Sequence, residues 1–213
     1  MTSQVKPQRA RLPIALKDPF ATGCSFQHCT MHGTSKPVRP RGNWDANVIW
    51  LGEAAGLEEE TENCTFIGPA GRLATETLGG IGLSFDKNFF VPNICLCRPH
   101  PPAGSSKQNR TPTAAEMKAC RPHLEKIVRL QKPKLIVMVG GQATKALMEN
   151  APRISKVVGQ FFGSEEHDLE ADADLYAIWH PAYILRNMGE KPEWTKQLVR
   201  LRDYMIGRNL VIK

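Results

Sequence analysis

Apolar positions along this chain follow two rhythms. Residues 46–51, Ala-Asn-Val-Ile-Trp-Leu, form a run that reads as a strand and leads into Gly52-Glu53-Ala54-Ala55-Gly56. Residues 70–78 then read as a helix that stops at Gly79 and Gly80. A second strand is expected over residues 88–91. Thr113 and Glu116 stand at capping-box spacing. Behind them Met117, Cys120, Leu124, Ile127 and Val128 recur at spacings of three and four, which predicts a helix. Pro122 marks an expected irregularity in it. Residues 134–139 are almost continuously apolar, as a buried parallel strand should be, and Gly140 to Thr144 open another helix. Residues 175–179 predict a late strand. Residues 192–206 predict a terminal helix with Trp194, Leu198, Leu201 and Tyr204 to Met205 on one face. Strands alternating with helices predict a single α/β domain with a mostly parallel central sheet flanked by helices. A strand that ends in small residues ahead of a helix offers a ligand site at the carboxyl edge of such a sheet. Glu53 would stand at the lip of that site and Phe66 would supply a flat face.

Composition narrows the partner. The chain has 213 residues, enough for one domain with a real core, and 41% hydrophobic residues. Its formal net charge is +7 and its pI about 9.2, which suits a polyanion. No run of about 18 apolar residues spans a membrane. Residues 1–17 hold no apolar secretion segment, so a cytoplasmic location is expected. Residues 1–20 are expected to be a flexible basic arm, with the domain over 21–213. Residues 101–113 form a Pro, Gly, Ser and basic loop in which Lys107 and Arg110 could lie against phosphates. Residues 163–174 are acidic and suit a surface turn. Six cysteines in a non-secreted chain point to metal or cluster ligation sooner than to disulfides. Cys24 and Cys29, with four residues between them, can chelate one centre, with His28 as a substitute ligand.

Four stretches together resemble the uracil-DNA glycosylase superfamily, in particular its iron–sulfur branch, family 4. The first signature of that branch reads Gly-Glu-Ala-Pro-Gly, then Glu-Asp, then Gly-x-Pro-Phe-Val-Gly-x-Ala-Gly. Glu53, Gly56, Glu59, Phe66, Gly68, Ala70 and Gly71 fall in its register, while Ala55, Glu60, Asn63 and Thr65 depart from it. Asn93, Cys97, Arg98 and Pro99 match a Thr-Asn-x-x-Lys-Cys-Arg-Pro motif, with Pro92 and Leu96 departing. Cys120 matches the fourth cluster cysteine. His180-Pro181-Ala182-Tyr183-Ile184-Leu185-Arg186 resembles the closing His-Pro-Ser-x-x-Leu-Arg signature. The likeness runs from Cys24 to Arg186.

The resemblance implies a glycosylase fold and removal of a flipped-out base from DNA, uracil by default, to leave an abasic site. Glu53 and His180 would be catalytic, Glu53 on water or the cationic sugar and His180 on the base O2. Phe66 would stack on the base and Asn93 would read its edge, with Ala55 and Glu59 in the base site. Ile184, Leu185 and Arg186 would form a wedge that fills the hole left in the stack. Cys24, Cys29, Cys97 and Cys120 would hold a [4Fe–4S] cluster, zinc being the alternative for four thiolates. No lysine stands in a signature position, so strand cleavage is not expected. Two other readings stay open. The departures at Ala55, Asn63, Cys64 and Thr65 would widen the pocket for a 5-modified pyrimidine, such as hydroxymethylcytosine or its glucosylated form in phage DNA. Alternatively, the chain is a non-catalytic iron–sulfur DNA-binding module. No membrane or obligate protein partner is indicated, and a monomer is expected.

Overall fold

A computed structural model of the chain describes residues 7–16, 29–106, 108–148 and 150–212. The expected ligand Cys24, its substitute His28 and the loop residue Lys107 lie outside them. Seven strands form one sheet: β1 (Arg41–Gly42), β2 (Val48–Ala54), β3 (Phe90–Val91), β4 (Asn93–Cys95), β5 (Leu135–Val139), β6 (Phe161–Phe162) and β7 (Asp174–Ile178). Their spatial order is β1-β3-β2-β5-β7-β6, with β4 also paired to β2. The four inner pairings around β2, β5 and β7 are parallel, and only the edge strands β1 and β6 run antiparallel. The chain therefore leaves β2 toward one side, through β3 and β4, and returns across it to β5 on the other. That reversal is the switch point where an open α/β sheet opens a crevice at its carboxyl ends.

Among the described residues, and besides two four-residue helices at Phe85–Asn88 and Ile154–Val157, six longer helices cover the sheet: α1 (Leu57–Glu62), α2 (Pro69–Gly80), α3 (Ala114–Gln131), α4 (Gly141–Leu147), α5 (Pro181–Arg186) and α6 (Lys191–Gly207). Successive strand residues point to opposite faces. Ile49, Leu51, Ile136, Met138, Leu175 and Ala177 pack with Leu124, Ile127 and Val128 of α3. Val48, Trp50, Val137, Val139, Tyr176 and Ile178 pack with Leu73 and Leu78 of α2 and Trp194, Leu198 and Leu201 of α6. Helices on both faces explain why residues 134–139 read as unbroken apolar sequence. Among the described residues no helix is long and apolar enough to cross a membrane.

Several expectations are corrected. The first strand continues past Leu51, because Gly52 and Ala54 pair with Asn93 and Cys95. The strand expected over 88–91 begins only at Phe90. Asn88 instead closes a helical turn, its Oδ1 accepting the Ser84 N–H at 2.9 Å while Ser84 Oγ accepts the Asp86 N–H at 3.2 Å. Pro122 does not break α3, which runs on to Gln131. Thr113 and Glu116 do close the capping box ahead of it, at 3.2 and 2.7 Å. Part of the arm expected to be flexible is docked: Ala10 N donates to Pro40 O, Gly42 N donates to Gln8 O, and Ala10 and Leu16 are buried.

Arg41, the first residue of β1, is buried at 3% exposure. It binds Asp86 through Nε and Nη2 at 2.9 and 3.1 Å, and Nη1 donates to Phe66 O at 3.2 Å and Thr75 Oγ1 at 3.0 Å. Removing one member of a buried pair leaves the other charge uncompensated. Arg41→Met should therefore lower unfolding stability by about 2–3 kcal/mol. Urea denaturation measures this, and a loss below about 0.5 kcal/mol, typical of surface changes, would contradict it.

Candidate active site

The crevice collects side chains from several strand ends. Glu53 is the second-last residue of β2, Asn93 starts β4, and His180 follows β7. Gly52 and Asn93 are directly opposed across the β2–β4 ladder. A Cβ at Gly52 would collide with the Phe66 ring and with Asn93 Oδ1, so this glycine lets ring and amide meet over the strand. Phe66 sits at φ +53°, an uncommon conformation for a bulky residue. Its carbonyl is held by Arg41, and Gly71 leaves room for it where any Cβ would clash. The ring lies 6.1 Å from the His180 ring, centre to centre, tilted by 37°. Asn93 is 3% exposed, and its Oδ1 is buried without a hydrogen-bond partner among the described residues. A buried acceptor of this kind carries a desolvation cost until something donates to it.

His180 caps α5: its Nδ1 accepts the Ala182 N–H at 3.1 Å. That bond assigns the ring proton to Nε2, which is left as a donor. Burial, with the charge of Arg186 added, pushes the His180 pKa down to about 4. The imidazole is thus neutral at pH 7 and keeps its Nε2 proton. Gly140, at φ +88° after β5, passes against it; a Cβ there would stand 2.9 Å from His180 Cβ. Burial pushes the Glu53 carboxyl above its ordinary range, and a hydrogen bond from Thr111 pulls the other way. Thr111→Val should remove that counterweight and raise the Glu53 pKa further. A carboxylate-dependent rate is lost as pH falls through that pKa, so the acid limb of the pH–rate profile should move to higher pH. An unmoved limb would show that Thr111 does not govern Glu53.

Glu59 does something other than line the base site. Its Oε2 accepts the Gly56 N–H at 3.1 Å and its Oε1 the Gly68 N–H at 2.8 Å. It clamps the two halves of the first motif together, and a Cβ at either glycine would push the carboxylate aside. Ala55 is buried beside the strand end. Asn63 accepts the Arg39 N–H at 3.0 Å, and Thr65 accepts from Arg41 N at 2.9 Å and donates to Val91 O at 2.5 Å. Two of the departures thought to widen the pocket are thus spent on main chain. Ile184, expected in the wedge, is fully buried, whereas Leu185 is 40% exposed and Arg186 exposed. Arg110 does not face outward to phosphate; it pairs with Glu116 at 2.7 and 2.8 Å.

Cys29, Cys97 and Cys120 line one pocket of about 560 Å³, away from Glu53 and His180. Glu116 draws this pocket together: it accepts from Thr30 Oγ1 at 2.6 Å, next to Cys29, and sits one turn before Cys120 in α3. The Arg110 guanidinium beside Glu116 holds its carboxyl down to about 2. Glu60 forms another wall, accepting from Ser35 Oγ at 2.8 Å and Arg98 Nη1 at 2.9 Å. Cys95 lies behind, its thiol hydrogen-bonded to Cys120, and outside the pocket lining. Among the described residues no three His, Cys, Asp or Glu side chains are grouped tightly enough for a single metal ion. Thr111, Arg41 and the Gly140 contact escaped sequence reasoning, since none follows from local spacing.

Residues 39–201 match the uracil DNA glycosylase superfamily. The chain is 32% identical to a type-4 uracil-DNA glycosylase of Pyrobaculum aerophilum over 80% of its own length and 84% of that protein. It is 31% identical to one of Archaeoglobus fulgidus (84% and 87%) and 30% identical to one of Thermotoga maritima (75% and 77%). The matched span takes in every strand-end residue of the crevice, from Glu53 to His180, and on this likeness the chain belongs to the uracil DNA glycosylase superfamily.

Proposed function

We propose that this chain is a monofunctional uracil-DNA glycosylase that takes a flipped-out uracil between Phe66, Asn93 and His180. The observation that carries the reading is the buried, unpartnered Asn93 Oδ1 over the Phe66 ring. Uracil offers an N–H at N3, which satisfies an acceptor; a cytosine derivative offers a lone pair there, which repels it. This argues against hydroxymethylcytosine and its glucoside, as does the use of Asn63 and Thr65 on main chain. Stacking on Phe66 contributes about 1–3 kcal/mol.

In the reaction the N1–C1′ bond breaks and its electron pair leaves on uracil, spread onto O2. Neutral His180 donates its Nε2–H to that oxygen, which stabilises the anion without needing a prior proton. Glu53, as carboxylate, aligns water toward C1′ and takes its proton as the C–O bond forms. The uracil anion then takes up the proton that Glu53 removed from water, by way of solvent, which restores the carboxylate and leaves free uracil and an abasic deoxyribose.

The cysteine pocket suits a [4Fe–4S] cluster. Three thiols from distant segments line one space, a set of soft donors suited to an iron–sulfur cluster or to zinc, and the family 4 resemblance favours the cluster. Cys29, Cys97 and Cys120 would be ligands, with Cys24 as the fourth. When bound, the cluster supplies a covalent tie between the segment before β1, the end of β4 and α3. Anaerobically prepared protein should contain iron and sulfide in equal amounts, with zinc-only protein refuting the cluster.

Base release decides the function. Matched single- and double-stranded DNA containing uracil, hydroxymethylcytosine or glucosylated hydroxymethylcytosine is incubated with the protein, and abasic sites are scored by alkaline cleavage. Release of uracil is expected. Release of a bulky cytosine with uracil untouched would overturn the reading, and so would binding with no release of any base.

A further inference from the structure

The segment after His180 carries more than the wedge residue that the sequence motif offers. Residues 185–190 are all exposed in succession, whereas Pro181 and Ile184 of the same turn are buried. This makes a ridge standing off the helix that His180 caps. Two large apolar side chains project from it: Leu185 at 40% exposure and, three residues on, Met188 at 51%. Asn187, one of the two polar residues between them, is exposed but hydrogen-bonded back to the helix. Asn187 Nδ2 donates to Tyr183 O at 2.9 Å, and Asn187 N donates to Ile184 O at 3.0 Å.

The ridge is also braced. Residues Met188–Glu190 form a 3-10 turn, Glu190 N donates to Asn187 O at 2.9 Å, and Lys191 N bonds back to Met188 O. Lys191 pairs with Glu76 of α2 at 3.7 Å, which ties the ridge to the helix that follows Phe66. Single exposed apolar residues need no explanation, and Ile14 and Ile206 are of that kind. Met188 differs by position. It follows Leu185 by three residues, past the helix end at Asn187 and at the start of the 3-10 turn, and both come shortly after His180 in the chain.

We propose that Met188 is a second wedge residue, entering the base stack beside the gap that Leu185 fills when the target nucleotide is flipped out. The proposal rests on the glycosylase reading of the His180 site. Leu185 stands on the helix and Met188 on the 3-10 turn that follows its end, so they are two separate projections of one ridge, and the second is placed to address the step beside the one that Leu185 fills. Methionine suits the second place, because its flexible thioether lies flat on an uneven base edge and is a known type of intercalating wedge. Arg186, exposed between them, is free to meet the phosphate of the same strand.

A wedge acts on stacked duplex and has nothing to displace in single strands. The test compares kcat/KM for uracil in matched duplex and single-stranded DNA for the intact protein, Met188→Ala, Met188→Leu and Leu185→Ala. Met188→Ala should lower the duplex-to-single-strand ratio about tenfold, and Met188→Leu should restore it. An unchanged ratio, whether both rates fall together or neither moves, overturns the proposal. A second readout does not require base release. A duplex with a tetrahydrofuran abasic mimic flanked by 2-aminopurine should brighten on binding the intact protein, as the flanking base unstacks, and brighten less with Met188→Ala. Equal brightening refutes the wedge role of Met188 even if uracil is never cleaved, whereas failure to cleave uracil with normal brightening refutes only the base assignment.

Discussion

His180→Ala should lower kcat about 10²–10³-fold, equivalent to about 3–4 kcal/mol of transition-state stabilisation. The loss should fall on kcat more than on KM, because the charge that the imidazole meets develops only as the N1–C1′ bond breaks. The Nδ1 bond to Ala182 N makes Nε2 the donor, and burial keeps the ring neutral with a pKa of about 4. A sharper consequence follows from that value. An imidazolium acid would impose a rate decline between pH 6 and 8; a neutral donor imposes none. The intact enzyme should therefore show no basic limb from His180 across that range, and a ¹⁵N spectrum of the ring at pH 7 should show protonation at Nε2 alone. A charged ring at pH 7 would sink the assignment. Gly140→Ala provides an independent probe, since its Cβ would displace the ring without removing it.

The order of strands and helices was legible because each strand of the central sheet is covered on both faces and each helix on one. Apolar runs and three–four spacing record that burial directly. The strand-end residues Glu53, Asn93 and His180 were also legible, as motifs, and the fold brings all three to the switch point between β2 and β5. What the sequence concealed depends on contacts between distant segments. Gln8 to Ala10 lie along Pro40 to Gly42 through main-chain bonds, to which side-chain pattern is blind. Glu59 was placed in the base site by register, yet its carboxylate is consumed by two backbone amides. Ile184 and Leu185 are adjacent letters, and only the phase of a six-residue helix separates core from surface. Thr111 reaches Glu53 from a loop nearly sixty positions away, and no spacing announces it.

Glu53→Gln should lower kcat about 10²–10⁴-fold, the range for losing a positioned proton acceptor. The amide keeps the size and the hydrogen-bonding ability of the side chain, so the strand end and its link to Thr111 survive. DNA binding should not weaken, and it should tighten modestly, because a negative charge near the phosphates has been removed. The loss therefore separates cleanly: kcat falls while the dissociation constant for uracil duplex holds or improves. The pH dependence adds a sign. Burial raises the carboxyl above the ordinary glutamate range, and only the carboxylate form aligns water, so the intact enzyme loses rate on the acid side at a pH above that of a free glutamate. In Glu53→Gln that acid limb should vanish, leaving a low and flat profile. Survival of the same limb in the variant would assign it to another group. Near-normal kcat would remove Glu53 from the chemistry and return it to the edge of a strand.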